Sequence, residues 1–309
     1  MGVGITMSLV LLWGMPADRP FAAVLAALKR RGTPTVVLDQ RDGSDAEGSL
    51  IVDPNVSGFL NWNSHKITLE TVTAAYLRAY DFRRLPKVAA AGPNSQVWHR
   101  CGAIEELINA WADITPASVL NRPAAMSSNN SKPFQSAWLN KLGFATPDTL
   151  VTTDPLAAIA FWERHRSVIY KSISGIRSIV SKLTDTDRDR LSNIKWCPTQ
   201  FQQYIPGVDV RVHVVGHVTF ACQIVASVDD YRYSDGMAKV SPCDLPNDVR
   251  ERCIVVSTTM QLPFCGIDLR RTPGGQWYCF EVNPSPGFTF FQYETGHQID
   301  EAVADFLTA

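Results

Sequence analysis

The run from Phe264 to Pro284 constrains this chain most. Two strand-like segments flank Thr272-Pro273-Gly274-Gly275. Proline presets φ and glycine reaches φ > 0 without a Cβ clash, so the chain reverses here. Folding about the Gly274–Gly275 bond sets Asp268 opposite Glu281. The period-2 alternation of a strand then puts Asn283 on the face of Glu281. Two carboxylates and an amide oxygen converge. Such a set suits a hard divalent cation that keeps water and phosphate as its other ligands. The expectation is a magnesium–nucleotide site.

A second hairpin precedes it. Val208, Val210, Val212 and Val214 alternate with Asp209, Arg211 and His213, and Gly216-His217 forms a two-residue turn. The valine face packs. The polar face is either solvated or functional, and the pattern alone favours neither. The planar fork of Arg211 suits a phosphate.

Upstream, the strand Ser167–Ser172 carries Lys171 into a Ser/Gly loop with Ser174 and Gly175. Backbone N–H groups of such a loop can wrap polyphosphate, but the loop lacks the Gly-Lys-Ser/Thr ending of a Walker A loop. The strand Thr199–Ile205, with Gln203, Tyr204 and Ile205, offers a backbone edge for adenine. It reads equally as a core strand. Arg232 lies beyond the second hairpin, where a solvated loop is the default.

The chain has 309 residues, enough for more than one domain. Hydrophobic residues make up 45% and charged residues 19%, as in a globular protein. A net charge of −1 gives nucleic acid or an anionic membrane no bulk electrostatic attraction. The apolar N-terminal run has no basic region ahead of it and ends at Gly14-Met15-Pro16, so it reads as a buried strand rather than a signal. Seven cysteines without a Cys-x-x-Cys pair suit a reduced cytoplasmic compartment, all as buried small hydrophobes. No His-x-x-x-His spacing and no Gly-x-Ser-x-Gly elbow occurs, which leaves zincin and serine-hydrolase chemistry unsupported.

Residues 8–40 read strand–helix–strand, a βαβ unit that implies a parallel sheet. The loop between the first strand and the helix, Trp13–Pro20, lacks Gly-x-Gly-x-x-Gly, so no dinucleotide fingerprint is present. Helices are expected over 66–80, 103–112, Pro133–Leu142 and Ile299–Leu307. The Pro-, Ser- and Asn-rich stretch 114–131 reads as a domain connector.

Taken in order, these parts resemble the ATP-grasp superfamily. The likeness is strongest to ribosomal-protein glutamate ligase-like enzymes and microviridin-type peptide ligases (graspetide synthetases). It is carried by SKPFQSAWLNKLGFATPDTLVTTDP at 131–155, FQQYIPGVDVRVHVVG at 201–216 and FCGIDLRRTPGGQWYCFEVNPSPGF at 264–288. The resemblance covers about residues 120–309. It implies two α+β subdomains that clamp ATP, behind an N-terminal parallel-sheet α/β domain. The expected divisions are 1–118, a central lid 119–200, and 201–309 with the magnesium site.

The resemblance also implies roles. Lys132 and Lys171 match lysines that contact the phosphates and adenine. Gln203, Tyr204 and Ile205 match the adenine hinge, and Asp209 a ribose-binding acid. Ser174 and Gly175 match a loop that closes over the phosphates. Arg211 and Arg232 match arginines near the transferred phosphate and acyl group. Asp268, Glu281 and Asn283 match the ligands of magnesium, with two ions expected and manganese as an alternative. The implied reaction activates a carboxylate with ATP as an acyl phosphate, releases ADP, and passes the acyl group to an amine or hydroxyl. The substrate expected is a peptide, with an amino acid or small molecule as the alternative, and a homo-oligomer is expected. A nucleotide-binding regulator without turnover and a plain α/β binding protein remain as other readings.

Overall fold

A computed structural model describes residues 9–172, 181–225 and 239–309. The chain begins with the βαβ unit: β1 (Leu9–Gly14), α1 (Arg19–Arg30) and β2 (Thr35–Asp39). Asp18 caps α1 by accepting from the N–H of Phe21, and Gly32 ends it at φ 67°. A meander follows: β3 (Glu47–Ile51), β4 (Ser57–Trp62) and β5 (His65–Thr68). After it come β6 (Val72–Arg78), α2 (Pro86–Ala91), α3 (Gln96–Ile114) and β7 (Ser118–Leu120). The first sheet has the order β2-β1-β6-β7 and is parallel throughout.

The period-2 rule divides β1 between two cores. Val10 and Leu12 pack with Phe21, Val24 and Leu28 of α1. Leu11 and Trp13 pack with Ile108 and Trp111 of α3. Helices on both faces are what a parallel sheet requires.

Two expectations are corrected. Residues 66–80 are not helical; they form β5, a short 3-10 turn and β6. β6 lies inside the sheet and is buried on both faces, so its apolar residues run together instead of alternating. The β-branched residues Ile67, Thr68, Thr71, Val72 and Thr73 favour a strand over a helix. The stretch 114–131 is more than a connector: β7 adds the fourth strand, and α4 (Pro123–Met126) follows.

Next come α5 (Lys132–Lys141), β8 (Thr149–Thr152), α6 (Pro155–His165), β9 (Val168–Ser172), β10 (Ser181–Lys182) and β11 (Thr199–Gln203). The four strands form an antiparallel sheet of order β10-β9-β11-β8. Val168 and Phe201 pack against Ala158 and Phe161 of α6, with Leu191 and Ile194 beside them. The strand period turns Lys171, Gln200 and Gln202 to the opposite face.

The last part holds β12 (Val208–Val215), β13 (Val218–Val225), β14 (Lys239–Pro242), α7 (Asn247–Thr259), β15 (Phe264–Arg271), β16 (Trp277–Asn283), α8 (Thr289–Thr295) and α9 (Ile299–Thr308). Its five-stranded antiparallel sheet runs β14-β13-β12-β15-β16. Val210, Val212, Val214, Ile267, Leu269 and Val282 pack with Val249, Cys253 and Val256 of α7. The other face carries the polar residues of β12 and β15. Val215, Phe264, Phe288 and α9 close over Val10 and Leu12, so this sheet and the N-terminal one share a core. Arg30 at the end of α1 and Arg31 just beyond it pair with Glu301 of α9.

Among the cysteines, Cys101, Cys222, Cys253, Cys265 and Cys279 are buried, as expected. Cys243 is half-buried and Cys197 exposed, which corrects the expectation for those two; all seven are free thiols. Burial pushes Cys222, Cys253 and Cys265 up to about 12, so they behave as small hydrophobes.

Candidate active site

The site is a grid laid out by strand register. Across β12, β15 and β16, Arg211 stands opposite Asp268, and Asp268 opposite Glu281. One row along, His213 faces Gly266, and Gly266 faces Asn283. The sequence therefore paired Asp268 with Glu281 correctly, by a route that differs from the real one. The turn pairs Arg271 with Trp277, one half-step off the assumed centre. A bulge then places Leu269 opposite Cys279 and Asp268 opposite Glu281, with Phe280 as the extra residue. The bulge restores both carboxylates to one face.

Arg211 is 5% exposed. A guanidinium at that depth needs a charged partner, and its Nη1 donates to Asp268 Oδ1 at 2.6 Å. Residue 266 is glycine for a local reason: a Cβ there would lie 2.0 Å from Arg211 Nη2. Phe291 of α8 covers this end, 5.8 Å from the Arg211 guanidinium carbon and 5.2 Å from the His213 ring. Burial, with Arg211 nearby, holds His213 neutral well below the ordinary imidazole range.

Lys132 is the first residue of α5, capped by Ser131. A lysine there meets the positive end of the helix dipole, which is unfavourable. Its Nζ lies 3.5 Å from Glu281 Oε2, which offsets that cost. One turn on, the buried Gln135 locks α5 to β16. Its Nε2 donates to Val282 O at 2.8 Å, and Val282 N–H donates to its Oε1 at 2.9 Å. The outer edge of β16 is further covered where Cys279 N–H donates to Ala145 O.

Asp209 and Arg270 form the third row. Arg270 grips Asp209 with two hydrogen bonds, 2.7 and 3.0 Å, and donates to Ile205 O at 2.9 Å. The Arg270 guanidinium carbon lies 5.2 Å from the Phe280 ring centre and 5.9 Å from that of Tyr204, and Lys182 Nζ stands 4.6 Å from Tyr204. The N–H groups of Gln203 and Tyr204 donate to Asp148 O and Ser167 O. Lys171 faces Gln200 across β9 and β11.

Thus Lys132, Arg211, Asp268 and Glu281 come together as two linked ion pairs, with Asn283 one row away. Asp209, Tyr204 and Ile205 gather around Arg270. Ser174, Gly175 and Arg232 lie outside the described residues. Sequence reasoning missed Arg270, Gly266 and Gln135. Arg270 and Gly266 sit two residues either side of Asp268, on its face; Gln135 sits one helical turn from Lys132.

The donors fit magnesium. Asp268, Glu281 and Asn283 supply oxygen only, and such an ion takes one or two carboxylates and keeps phosphate and water. Among the described residues no group of three or more His, Cys, Asp and Glu side chains could hold a metal ion. No helix among the described residues is long and apolar enough to cross a membrane.

Comparison with known proteins extends this geometry. The model of the RimK-like ATP-grasp domain matches residues 130–307. N-acetylaspartylglutamate synthase A of Mus musculus is 30% identical over 150 residues, which is 45% of this chain and 39% of that protein. The chain thus matches about two-fifths of the length of this curated relative. Among solved structures, the ATP-grasp ligase PsnB complexed with precursor peptide PsnA2 and AMPPNP is 26% identical. Its TM-score is 0.78, covering 98% of this chain and 97% of that one. The Chryseobacterium gregarium RiPP-associated ATP-grasp ligase, in complex with ADP and a leader and core peptide, is 22% identical. It has a TM-score of 0.84 over 97% and 96% of the two chains, and shares the fold.

Proposed function

The chain belongs to the RimK-like ATP-grasp family, and from that premise we propose that it is an ADP-forming ligase that joins a carboxylate to an amine or hydroxyl on a peptide. One observation carries the reading: a buried arginine and two carboxylates share one face of the C-terminal sheet, in register, and the Lys132 ammonium of α5 reaches the second carboxylate. The likeness to PsnB along nearly the whole chain supports a peptide as the substrate. The proposed division is an N-terminal α/β domain over 1–118, a central lid over 119–200 and a C-terminal subdomain over 201–309.

Lys132 and Lys171 neutralise phosphate charge. Tyr204 and Ile205 border the adenine, with Gln203 at the end of the same strand. Arg270 holds Asp209 beside the ribose. Arg211 orients the transferring phosphoryl group, and Arg232 serves the acyl group; Ser174 and Gly175 close over the phosphates. Asp268, Glu281 and Asn283 hold magnesium, as two ions, with manganese able to substitute. When bound, the metal offsets negative charge on the phosphate oxygens.

The substrate carboxylate attacks the γ-phosphorus, and ADP leaves. The amine or hydroxyl then attacks the acyl carbon, the C–O bond to phosphate breaks, and inorganic phosphate departs. Positioning and charge neutralisation suffice, and no protein nucleophile is needed. Shielding from water protects the acyl phosphate from hydrolysis. The enzyme works as a homo-oligomer in the cytoplasm.

The test is ATP-dependent phosphate release against precursor peptides, dipeptides and amino acids, followed by mass spectrometry of any product. Loss of water within one peptide supports a peptide-modifying ligase. Joining of two small molecules supports an amino-acid ligase instead. No phosphate release with any carboxylate, alongside tight ATP binding, would favour a regulator without turnover.

A further inference from the structure

We infer that Arg78, at the end of the N-terminal sheet, is a positioning residue for Asn283. The inference rests on the reading of Asn283 as a magnesium ligand.

Arg78 ends β6 beside Gly14, the last residue of β1. In the order β2-β1-β6-β7, the chain leaves β1 toward β2 on one side and returns to β6 on the other. The crevice outside the carboxyl ends of two such strands is where open α/β sheets place functional groups. The strand ends are close: a Cβ on Gly14 would lie 2.6 Å from Arg78 O.

Two nitrogens of the Arg78 guanidinium make three hydrogen bonds. Nε donates to Asp18, the cap of α1. Nη1 donates to Ser285 Oγ and to Pro286 O, each at 3.1 Å. Ser285 N–H in turn donates to Asn283 Oδ1 at 2.9 Å. A continuous chain of hydrogen bonds therefore runs from Asp18 through Arg78 and Ser285 to Asn283. Just ahead of Ser285, Pro284 O accepts from the buried Asn121 at 2.6 Å.

This chain fixes two things about the Asn283 amide. It sets the side-chain rotamer, and it decides which end is oxygen. A carbonyl oxygen has two lone pairs, so one remains for a cation after the Ser285 N–H is satisfied. Outer groups that orient a ligand typically change metal affinity by about 10–100-fold when removed. A lysine in place of Arg78 could not hold Asp18, Ser285 and Pro286 together.

The test measures ADP binding by calorimetry, with excess Mg2+ and with a chelator, in the full chain. Wild type, Arg78→Met, Arg78→Lys, Asn283→Ala, Ser285→Ala and the Arg78→Met/Asn283→Ala double variant are compared, each with its melting temperature. The expected result is about a tenfold loss of the Mg2+-dependent gain in ADP affinity in either Arg78 variant. Metal-free ADP affinity stays within about twofold, and the double variant is no worse than Asn283→Ala. Ser285→Ala, which removes the Oγ link to Arg78 and keeps the N–H to Asn283, shows a smaller loss in the same direction. An Arg78→Lys or Ser285→Ala protein that melts lower yet keeps the full Mg2+ gain would reduce Arg78 to a structural pin and overturn the inference. Additive losses in the double variant would overturn it as well. If Asn283→Ala itself keeps the Mg2+ gain, the ligand assignment fails, and with it the role of Arg78.

Discussion

Arg211 Nη1 lies 2.6 Å from Asp268 Oδ1, across two strands whose register sets the residues face to face. The pair is held from below as well, because only a residue without a Cβ leaves room for the guanidinium at position 266. Arg211→Lys should lower turnover by about 10²–10³ while melting changes little, since a point charge cannot reproduce the fork. Gly266→Ala should act on the same group, pushing the guanidinium aside and lowering turnover comparably. Steady-state rates and melting curves of both variants check this. Near-wild-type rates in either would remove Arg211 from the reacting centre.

Asp268→Ala and Glu281→Ala should each abolish turnover in a folded protein. Glu281→Ala also frees Lys132, whose Nζ lies 3.5 Å from the carboxylate. Phosphate release at saturating Mg2+, with melting curves beside it, reads both variants directly. Full activity in either variant would sink the metal assignment.

Gln135→Leu removes two hydrogen bonds to the backbone of Val282 and leaves a buried N–H and C=O unmatched. The cost should be about 2–4 kcal/mol, read as a shifted midpoint in urea unfolding. Because β16 carries Glu281, activity should fall in parallel. A midpoint within error of wild type would show that α5 does not pin β16.

Glu105 of α3 predicts a pH effect. Burial, with Asp81 nearby, raises Glu105 from 4.5 to about 7. The folded state then binds this proton more tightly than the unfolded chain does. Stability from Glu105 is full below about pH 4.5 and is lost as pH climbs through about 7. Allowing for solvent screening, the loss is on the order of 1–2 kcal/mol. Glu105→Gln should flatten the fall in melting temperature between acid and pH 8, a test value above both pKa values at about one unit. His213 has the opposite sign: held neutral, it withdraws stability as pH drops below the ordinary imidazole range. A Glu105→Gln protein with an unchanged pH profile would contradict the account.

The site was legible where chemistry is local. Proline and glycine announced the turn, and alternation placed Asp209, Arg211 and His213 on one face of β12. The pairing of Asp268 with Glu281 was also legible, although the bulge at Phe280 that secures it was not, because no residue type announces a bulge of that kind. Gln135, Arg270 and Arg78 were invisible for a different reason. Each matters through a partner far along the chain, Val282, Asp209 and Ser285, and only the folded structure brings those partners near. β6 was misread because a strand buried on both faces loses the alternation that identifies strands.

The account turns on activation of a carboxylate by ATP, and the path of one oxygen atom tests it. A substrate peptide with isotopically labelled side-chain carboxylates is incubated with the enzyme, Mg2+ and ATP, and the phosphate is analysed by mass spectrometry. Acyl-phosphate chemistry predicts ADP and inorganic phosphate carrying one labelled oxygen for each bond formed. Label in AMP, or product formed with none in the phosphate, would contradict it.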